Sequence, residues 1–311
     1  MNITALGIDI AKNVFELHGV NERGKVVLKK SLTRKKLVEF MAQLPPCLVG
    51  IEACGGSHHW GRTLSKMGHT VKLMNPQFVK PYVKSNKNDS HDAEAICEAV
   101  TRPNMRFVAI KNIEQQDIQA IHRIRERLVH NRTALINQIR GLLAEYGIII
   151  PQSVSYVRKE LPIILEDGEN ELSGLGRELL NDLWLQLNEL DKKVELYDKK
   201  IELICKNNEI CQRLVQVEGI GALTATAIIA SVGDATVFKN GREMAAFIGL
   251  VPKQYSSGGK QRLLGISKRG DRYLRCLLVH GARAALFRAK LPEKKSQWLK
   301  TLIERRGRNR A

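Results

Sequence analysis

Asp9 stands at the end of the short apolar run Ile3–Ile10, and Glu52 follows a second run, Cys47–Ile51. A carboxylate at a strand end emerges where neighbouring strands also end, so the two can converge on one site. Asp89 and Asp92 lie three apart at the start of a predicted helix, which puts both on one face. Hard oxygen donors of this kind suit magnesium, with manganese as the alternative, and not zinc. Two such ions clamped between carboxylates orient a nucleophile and stabilise a leaving oxygen in phosphoryl transfer. Taken singly, Asp89 reads equally as a helix cap and Glu52 as a surface carboxylate. The set of four is the stronger signal. A second chemical group lies in Tyr255-Ser-Ser-Gly-Gly-Lys260. From spacing alone Ser257 reads as a turn residue, since a serine hydroxyl is a weak nucleophile until a base or metal activates it. Gly258 and Gly259 allow backbone to approach a phosphate closely, and Lys260, Arg262, Lys268, Arg269 and Arg272 are candidate phosphate ligands. Ser256 is the neighbouring alternative, and Ser267 is expected to cap the helix that follows it.

The elements that position these groups follow from hydropathy. Val14–His18 and Lys25–Ser31 around Asn21-Glu-Arg-Gly24 predict a hairpin after the first strand. Arg34–Leu44 fits a helix ended by Pro45 and Pro46, and Ser57 is expected to cap a helix reaching Met67. Another strand, Thr70–Met74, precedes a polar loop, Lys84-Ser-Asn-Lys-Asn88, and a helix from Asp89 to about Arg102. Strands and helices mixed in this order predict a three-layer α/β domain whose sheet begins with a hairpin. Glu114–Tyr146 reads as a helix with His122, Arg123, Arg125, Arg127, His130, Arg132 and Arg140 over much of its surface. A further helix carries Leu180, Leu183, Leu187, Leu190, Val194, Tyr197, Ile201 and Ile204 at alternating spacings of three and four. That seam predicts either packing within the chain or a coiled coil with the first helix or another subunit. Leu223–Val232 reads as a buried helix and Leu264–Ala289 as helix-rich. The turn Gly219-Ile-Gly221 resembles a helix-hairpin-helix, in which backbone N–H groups grip a phosphate; a plain tight turn is the equal alternative. His58 and His59 read as surface or packing residues, because no Cys or His cluster completes a metal site around them.

Charge identifies the partner class. The net charge of +18 is distributed as +7 over residues 1–110, −2 over 111–215 and +13 over 216–311. A segment of that density suits a polyanion, whose counterions are released when lysines and arginines neutralise its phosphates. A solvated basic surface is the competing reading. With 43% hydrophobic and 26% charged residues the chain is ordinary for a globular protein, and no apolar run approaches the roughly 20 residues of a membrane span. The start MNITALGIDI lacks the features of a signal peptide, so a cytoplasmic protein with reduced, mostly buried cysteines is expected.

Gly7-Ile-Asp9-Ile-Ala-Lys12, Ile51-Glu52-Ala-Cys-Gly55 and Lys87-Asn-Asp89-Ser-His-Asp92-Ala together resemble the Asp-Glu-Asp-Asp motif of insertion-sequence 110 family transposases, in particular the 1111 subgroup. The resemblance extends through Arg132-Thr-Ala-Leu-Ile-Asn-Gln-Ile-Arg-Gly141 to the C-terminal run from Ser256 to Arg275. It implies an α/β RNase H-like (RuvC-like) domain over residues 1–110, a helical coiled-coil stalk over 111–212 and a mainly α, basic serine transposase domain over 213–311. It implies further that Ser257, matched by the Tyr-x-Ser-Gly pattern, attacks a DNA phosphodiester while Asp9, Glu52, Asp89 and Asp92 hold magnesium. The implied partners are DNA, a structured guide RNA made by the element and further copies of the chain in a dimer or tetramer. Gly219, Gly221, Lys260, Arg262, Lys268, Arg269 and Arg272 are the expected nucleic-acid contacts. Members of that family often continue into a further helix past the position of Ala311, which leads to the expectation of a truncated copy. Two rivals stand beside this reading. One is a RuvC-like endonuclease or junction resolvase that uses water, and the other a nucleic-acid-binding protein without catalysis. A sugar-kinase-like ATPase is disfavoured because the chain has no G-x-x-x-x-G-K-[ST] phosphate loop.

Overall fold

A computed structural model describes residues 2–84, 89–288 and 297–307. By compactness the chain divides into two units, Met1–Ile113 and Glu114–Ala311. In the first, β1 (Ala5–Ile10), β2 (Val14–Val20) and β3 (Val26–Thr33) form an antiparallel meander. The Asn21 side chain accepts hydrogen bonds from the N–H groups of Arg23 and Lys25, each at 3.0 Å, and so shapes the β2–β3 turn. Then come α1 (Arg34–Gln43), β4 (Leu48–Glu52), α2 (Ser57–Lys66), β5 (Thr70–Met74), the short α3 (Pro76–Val79), α4 (Asp89–Val100) and β6 (Phe107–Val108). The sheet order is β3-β2-β1-β4-β5-β6, with β4 parallel to β1 and β5 to β4, and β6 antiparallel to β5.

Alternation along the strands gives the sheet two faces. Leu6, Ile8, Phe15, Leu17, Val49 and Ile51 point to one, where Leu37 and Met41 of α1 and Trp60 and Leu64 of α2 cover them. Ala5, Gly7, Leu48 and Gly50 point to the other, which α4 covers. This mixed sheet with helices on both faces fits the expected α/β domain. One local expectation fails. The cap position of α2 is held by Gly56 at φ 87°, and buried Ser57 instead donates its hydroxyl to Cys54 O at 2.8 Å. The polar stretch Ser85–Asn88 lies outside the described residues.

The second unit begins with α5 (Ile113–Ala144), whose first residue belongs to the unit before it, followed by α6 (Val154–Glu166) and α7 (Gly174–Lys206). Helix α6 is not signalled by the sequence pattern, because Pro162 falls inside it. The apolar seam of α7 is covered within its own unit. Leu180 and Leu187 join Leu135, Ile136, Ile139 and Leu143 of α5 and Val157 and Leu161 of α6, while Val194 and Ile201 are also buried. Arg125 pairs with Asp198, and Arg132 with Asp191 at 3.2 Å, so α5 and α7 run antiparallel. The expected basic face of α5 is therefore reduced. Arg125 and Arg132 bind α7, Arg140 donates to Ile150 O at 3.0 Å, and His122 is buried.

Beyond these lie α8 (Glu209–Leu214), α9 (Ala222–Val232), α10 (Gly241–Ile248), a hairpin of β7 (Pro252–Gln254) and β8 (Leu263–Ile266), α11 (Arg272–Arg288) and α12 (Gln297–Arg306). The strand at Leu263–Ile266 corrects the expectation of helix from Leu264 onward. Four of the six cysteines are buried, and Cys54 and Cys276 are exposed. Among the described residues no helix is long and apolar enough to cross a membrane.

His122 ties three helices of this unit together. The Thr226 hydroxyl donates to Ala222 O at 2.8 Å, so it accepts from His122 Nε2 at 3.0 Å; His122 Nδ1 then accepts from the Tyr273 hydroxyl at 3.0 Å. Burial holds His122 down at about 4 and pushes Tyr273 up to about 12, which keeps both neutral. The unfolded chain therefore takes up this proton near pH 6.5 while the folded unit resists it down to about 4. Stability should be full above pH 6.5 and fall by up to about 3 kcal/mol as pH drops to 4. Thermal unfolding across that range checks this. His122→Gln should lose stability at pH 7 and show a shallower acid slope, and an unchanged slope would remove His122 as the cause.

Candidate active site

Strands β1 and β4 pair in parallel with Ile8 opposite Ile51, so Asp9 and Glu52 follow side by side at their C-terminal ends, on one face. The peptide after Glu52 is pinned by Ala53 N–H donating to Met74 O at 2.7 Å and Cys54 N–H donating to Glu52 O at 2.9 Å. Two residues before each carboxylate is a glycine, and both glycines lie under α4. A Cβ on Gly7 would overlap Ala93 O and Cys97 N and come within 2.8 Å of Cys97 Cβ. A Cβ on Gly50 would come within 2.8 Å of Val100 Cβ. Helix α4 thus lies almost on the backbone of β1 and β4, with the Cys97 thiol 3.6 Å from Ala5 O. That contact brings Asp92, next to Ala93, over the strand ends.

Electrostatics report the convergence. The Glu52 carboxyl is held above its ordinary range first by burial, then by the negative charges of Asp9 and Asp92. The Cys54 thiol, on a residue exposed overall, is pushed up by its partial burial and then by Glu52 and Asp9. Among the described residues neither Glu52 nor Asp92 has a salt-bridge partner. Asp89 opens α4, and its side chain lies outside the described residues. Three of the four expected carboxylates, Asp9, Glu52 and Asp92, are therefore within electrostatic range of one another. Glu16 is a fifth that sequence reading missed: it pairs with Asp9 across β1 and β2 and so shares its face. Only the strand register could have found it. The donors suit a hard divalent cation in kind, and a cation would relieve their mutual repulsion. Among the described residues, no three His, Cys, Asp or Glu side chains stand close enough to hold an ion.

His58 is not a ligand either. Its Nδ1 accepts from Lys111 N–H at 3.1 Å while Arg62 donates to Lys111 O at 2.6 Å, and burial, with Lys111 and Arg62 nearby, lowers His58 to about 4.

In the second unit, Ser256 and Ser257 sit at the tip of the β7–β8 hairpin. Ser257 O accepts from Lys260 N–H at 3.1 Å, and the turn is closed by Gly258 at φ 55° and Gly259 at φ 75°, conformations that favour glycine. The two serines differ. Ser256 Oγ accepts from Arg262 N–H at 3.2 Å and from the Gln254 amide at 3.1 Å, whereas the exposed Ser257 hydroxyl has no hydrogen bond among the described residues. Lys260, Arg262, Lys268, Arg269 and Arg272 are exposed. Arg275 is not: it is buried and donates to Ile248 O at 2.8 Å, closing the end of α10. The hairpin's apolar side chains are open to solvent, with Tyr255 74% and Leu263 62% exposed. Its base is tied down by Ser267 N–H donating to Val251 O at 2.7 Å and Lys268 N–H donating to Gly249 O at 3.0 Å. Asp271, not Ser267, caps α11 by accepting from Leu274 N–H at 3.0 Å; Ser267 accepts from Arg269 N–H instead. Gly219 packs against the backbone of Gly281 in α11, which explains that glycine by packing, while Gly221 borders open space at the start of α9.

Comparison with known proteins gives concordant matches over both units. Residues 211–299 match the family model described as "Transposase IS116/IS110/IS902 family", and residues 6–148 match a transposase model of the DEDD IS110 type. The chain is 51% identical over 311 residues to the transposase for insertion sequence element IS1111A of Coxiella burnetii, covering 100% of this chain and 85% of the relative. It is 48% identical to a probable family 20 transposase of Pseudomonas aeruginosa, covering 99% and 92%. A pilin gene-inverting protein of Moraxella lacunata is 24% identical over 304 residues, covering 89% of this chain and 81% of that protein.

Two substitutions test the geometry. Gly7→Ala should lift α4 from the sheet and cost at least about 2 kcal/mol in urea unfolding, the scale of an overpacked core. A cost within 0.5 kcal/mol, roughly that of an ordinary surface change, would show that the contact is slack. Glu52→Gln should raise the thermal midpoint at pH 7 without added metal, because it removes a carboxylate whose charge is opposed by burial, Asp9 and Asp92. The gain should shrink on acidification, as the parent Glu52 takes up its proton; a gain independent of pH would point to packing instead.

Proposed function

The chain belongs to the IS116/IS110/IS902 family of transposases, and from that premise we propose that Ser257 is its nucleophile and that Asp9, Glu52, Asp89 and Asp92 hold a divalent metal ion. As an insertion-sequence transposase it moves DNA. In the proposed step Ser257 Oγ attacks the phosphorus of a strand at the element's end. A P–O bond to one strand terminus breaks, the serine proton ends on the departing oxygen, and a phosphoserine link conserves the ester. Attack by a hydroxyl of the strand to be joined then releases the serine and forms the new phosphodiester.

The observation that carries this assignment is the contrast between adjacent hydroxyls, Ser256 engaged within the hairpin and Ser257 turned to solvent. Lys260 and Arg262 share its loop, Lys268, Arg269 and Arg272 follow from the hairpin base to the start of α11, and all five are exposed and can hold phosphates, while Gly221 at the start of α9 offers backbone N–H groups as a secondary contact. Magnesium, with manganese as the alternative, would supply Lewis-acid stabilisation of charge developing on phosphate oxygens. The protein's own contribution is a set of oxygen donors whose charges act on one another at the strand ends. In this reading residues 1–110 carry the carboxylates, 111–212 form a helical connection and 213–311 carry the serine. A structured RNA of the element guides the choice of DNA. The oligomer forms through surfaces other than the α7 seam, which is occupied within its own unit.

Incubation of the protein with the element's end DNA, its flanking transcript and magnesium should yield a covalent protein–DNA adduct. Ser257→Ala should abolish the adduct and Ser256→Ala should retain it at reduced yield. Free DNA ends produced equally by Ser257→Ala would replace the serine mechanism with hydrolysis by water.

A further inference from the structure

The excess charge of the first unit is concentrated in one segment. Residues 22–36 contain Arg23, Lys25, Lys29, Lys30, Arg34, Lys35 and Lys36 against a single acid, Glu22. All seven cations are exposed, and none forms a salt bridge among the described residues. They follow the outer edge of the sheet. Arg23 and Lys25 are at the β2–β3 turn, Lys29 and Lys30 straddle edge strand β3 on opposite faces, and Arg34, Lys35 and Lys36 open α1. Eight residues of strand make this stripe roughly 25 Å long.

Its far end is the carboxylate end. Strand β2 is antiparallel to both β1 and β3, so β3 ends, with Thr33 opposite Val14, at the sheet edge where Asp9 emerges. Arg34 locks the two together. Its N–H donates to Asn13 O at 3.2 Å, its guanidinium donates to Lys12 O at 3.1 Å, and the same group lies over the rings of Phe15 and Trp60.

Two structural rules are strained here. Lysines on an edge strand are explained by protection against strand pairing, which covers Lys29 and Lys30. It does not cover three consecutive cations in the first turn of α1. A helix N-terminus carries partial positive charge and favours acids, yet that turn has none. A run of unneutralised cations along one edge, maintained against the helix dipole, calls for an external anion of matching length. We propose that this edge, from Arg23 to Lys36, is a docking surface for the DNA backbone that leads a duplex to the carboxylate end of the sheet. The inference rests on the transposase reading of the same site, and it assigns the N-terminal unit a DNA surface of its own.

The test uses the full chain and a random-sequence DNA duplex, with an RNA of equal length in parallel, titrated over a range of KCl. Lys25→Gln, Lys30→Gln, Lys35→Gln and Lys36→Gln are combined in one variant. A control removes four exposed lysines of α7, Lys192, Lys193, Lys199 and Lys200, in the same way. Each lost phosphate contact lowers the slope of log K against log salt by about 0.9. The edge variant should lose about 2 to 4 from that slope and bind DNA at least about tenfold more weakly, while its thermal midpoint holds or rises. The control should bind like the parent. Equal loss in both variants would reduce the effect to net charge and overturn the surface, as would a loss confined to RNA. An edge variant that binds DNA like the parent overturns the surface but leaves the transposase reading standing. Failure of the parent itself to bind DNA would overturn both.

Discussion

Helix α4 can lie against β1 and β4 only because the residues beneath it are Gly7 and Gly50. Everything at the carboxylate end depends on that approach. The strands alone deliver Asp9 and Glu52, fixed by a parallel register that a shift of one residue would destroy. The third carboxylate, Asp92, comes from another layer, and its height above the sheet is set by backbone against backbone. Side chains at either glycine position would hold the layers apart by the thickness of a methyl group or more, and the field that raises Glu52 would weaken with distance. The fold thus keeps like charges together, an arrangement opposed by electrostatics and sustained by the surrounding core.

The second unit spends much of its apparent basicity internally. Arg125, Arg132 and Arg158 bind the acids of α7, with Arg132 and Arg158 sharing Asp191. Arg140, Arg177 and Arg275 close helix ends or loops by donating to carbonyl oxygens. Partly exposed pairs of this kind contribute about 0.2–1 kcal/mol each, so their role is to set the register of long helices more than to hold them together. The basic C-terminal third is largely spared this: Arg275 is buried, while Lys260, Arg262, Lys268, Arg269 and Arg272 stay exposed on the hairpin and at the start of α11.

The sheet was legible in the sequence because its signals are local. Apolar alternation, the Asn21–Gly24 turn and proline punctuation located β1 to β5, and Thr70–Met74 is found as expected. Asp9 and Glu52 were legible as strand-end acids for the same reason. Glu16 was not, because its relation to Asp9 exists only across a hairpin register. His122 and its neighbouring arginines read as surface charge, since periodicity cannot say that a histidine will meet Thr226 and Tyr273 from helices more than 100 residues away. The β7–β8 hairpin was hidden by its composition: Leu263–Ile266 is apolar but exposed, so burial never selected an alternating pattern. Ser57 and Ser267 illustrate a further limit. Each stands near a helix start, yet the cap position is decided by backbone geometry a residue or several residues away.

The exposure of that hairpin bears on the serine mechanism proposed above. A two-stranded ribbon with no hydrophobic face against a core is marginally stable in water, and this one is anchored at its base while Tyr255 and Leu263 stand bare. A marginally stable ribbon gains rigidity from whatever it lies against. Under that mechanism the hydroxyl stands on a ribbon anchored at its base, so its aim depends on what that ribbon lies against when DNA is bound.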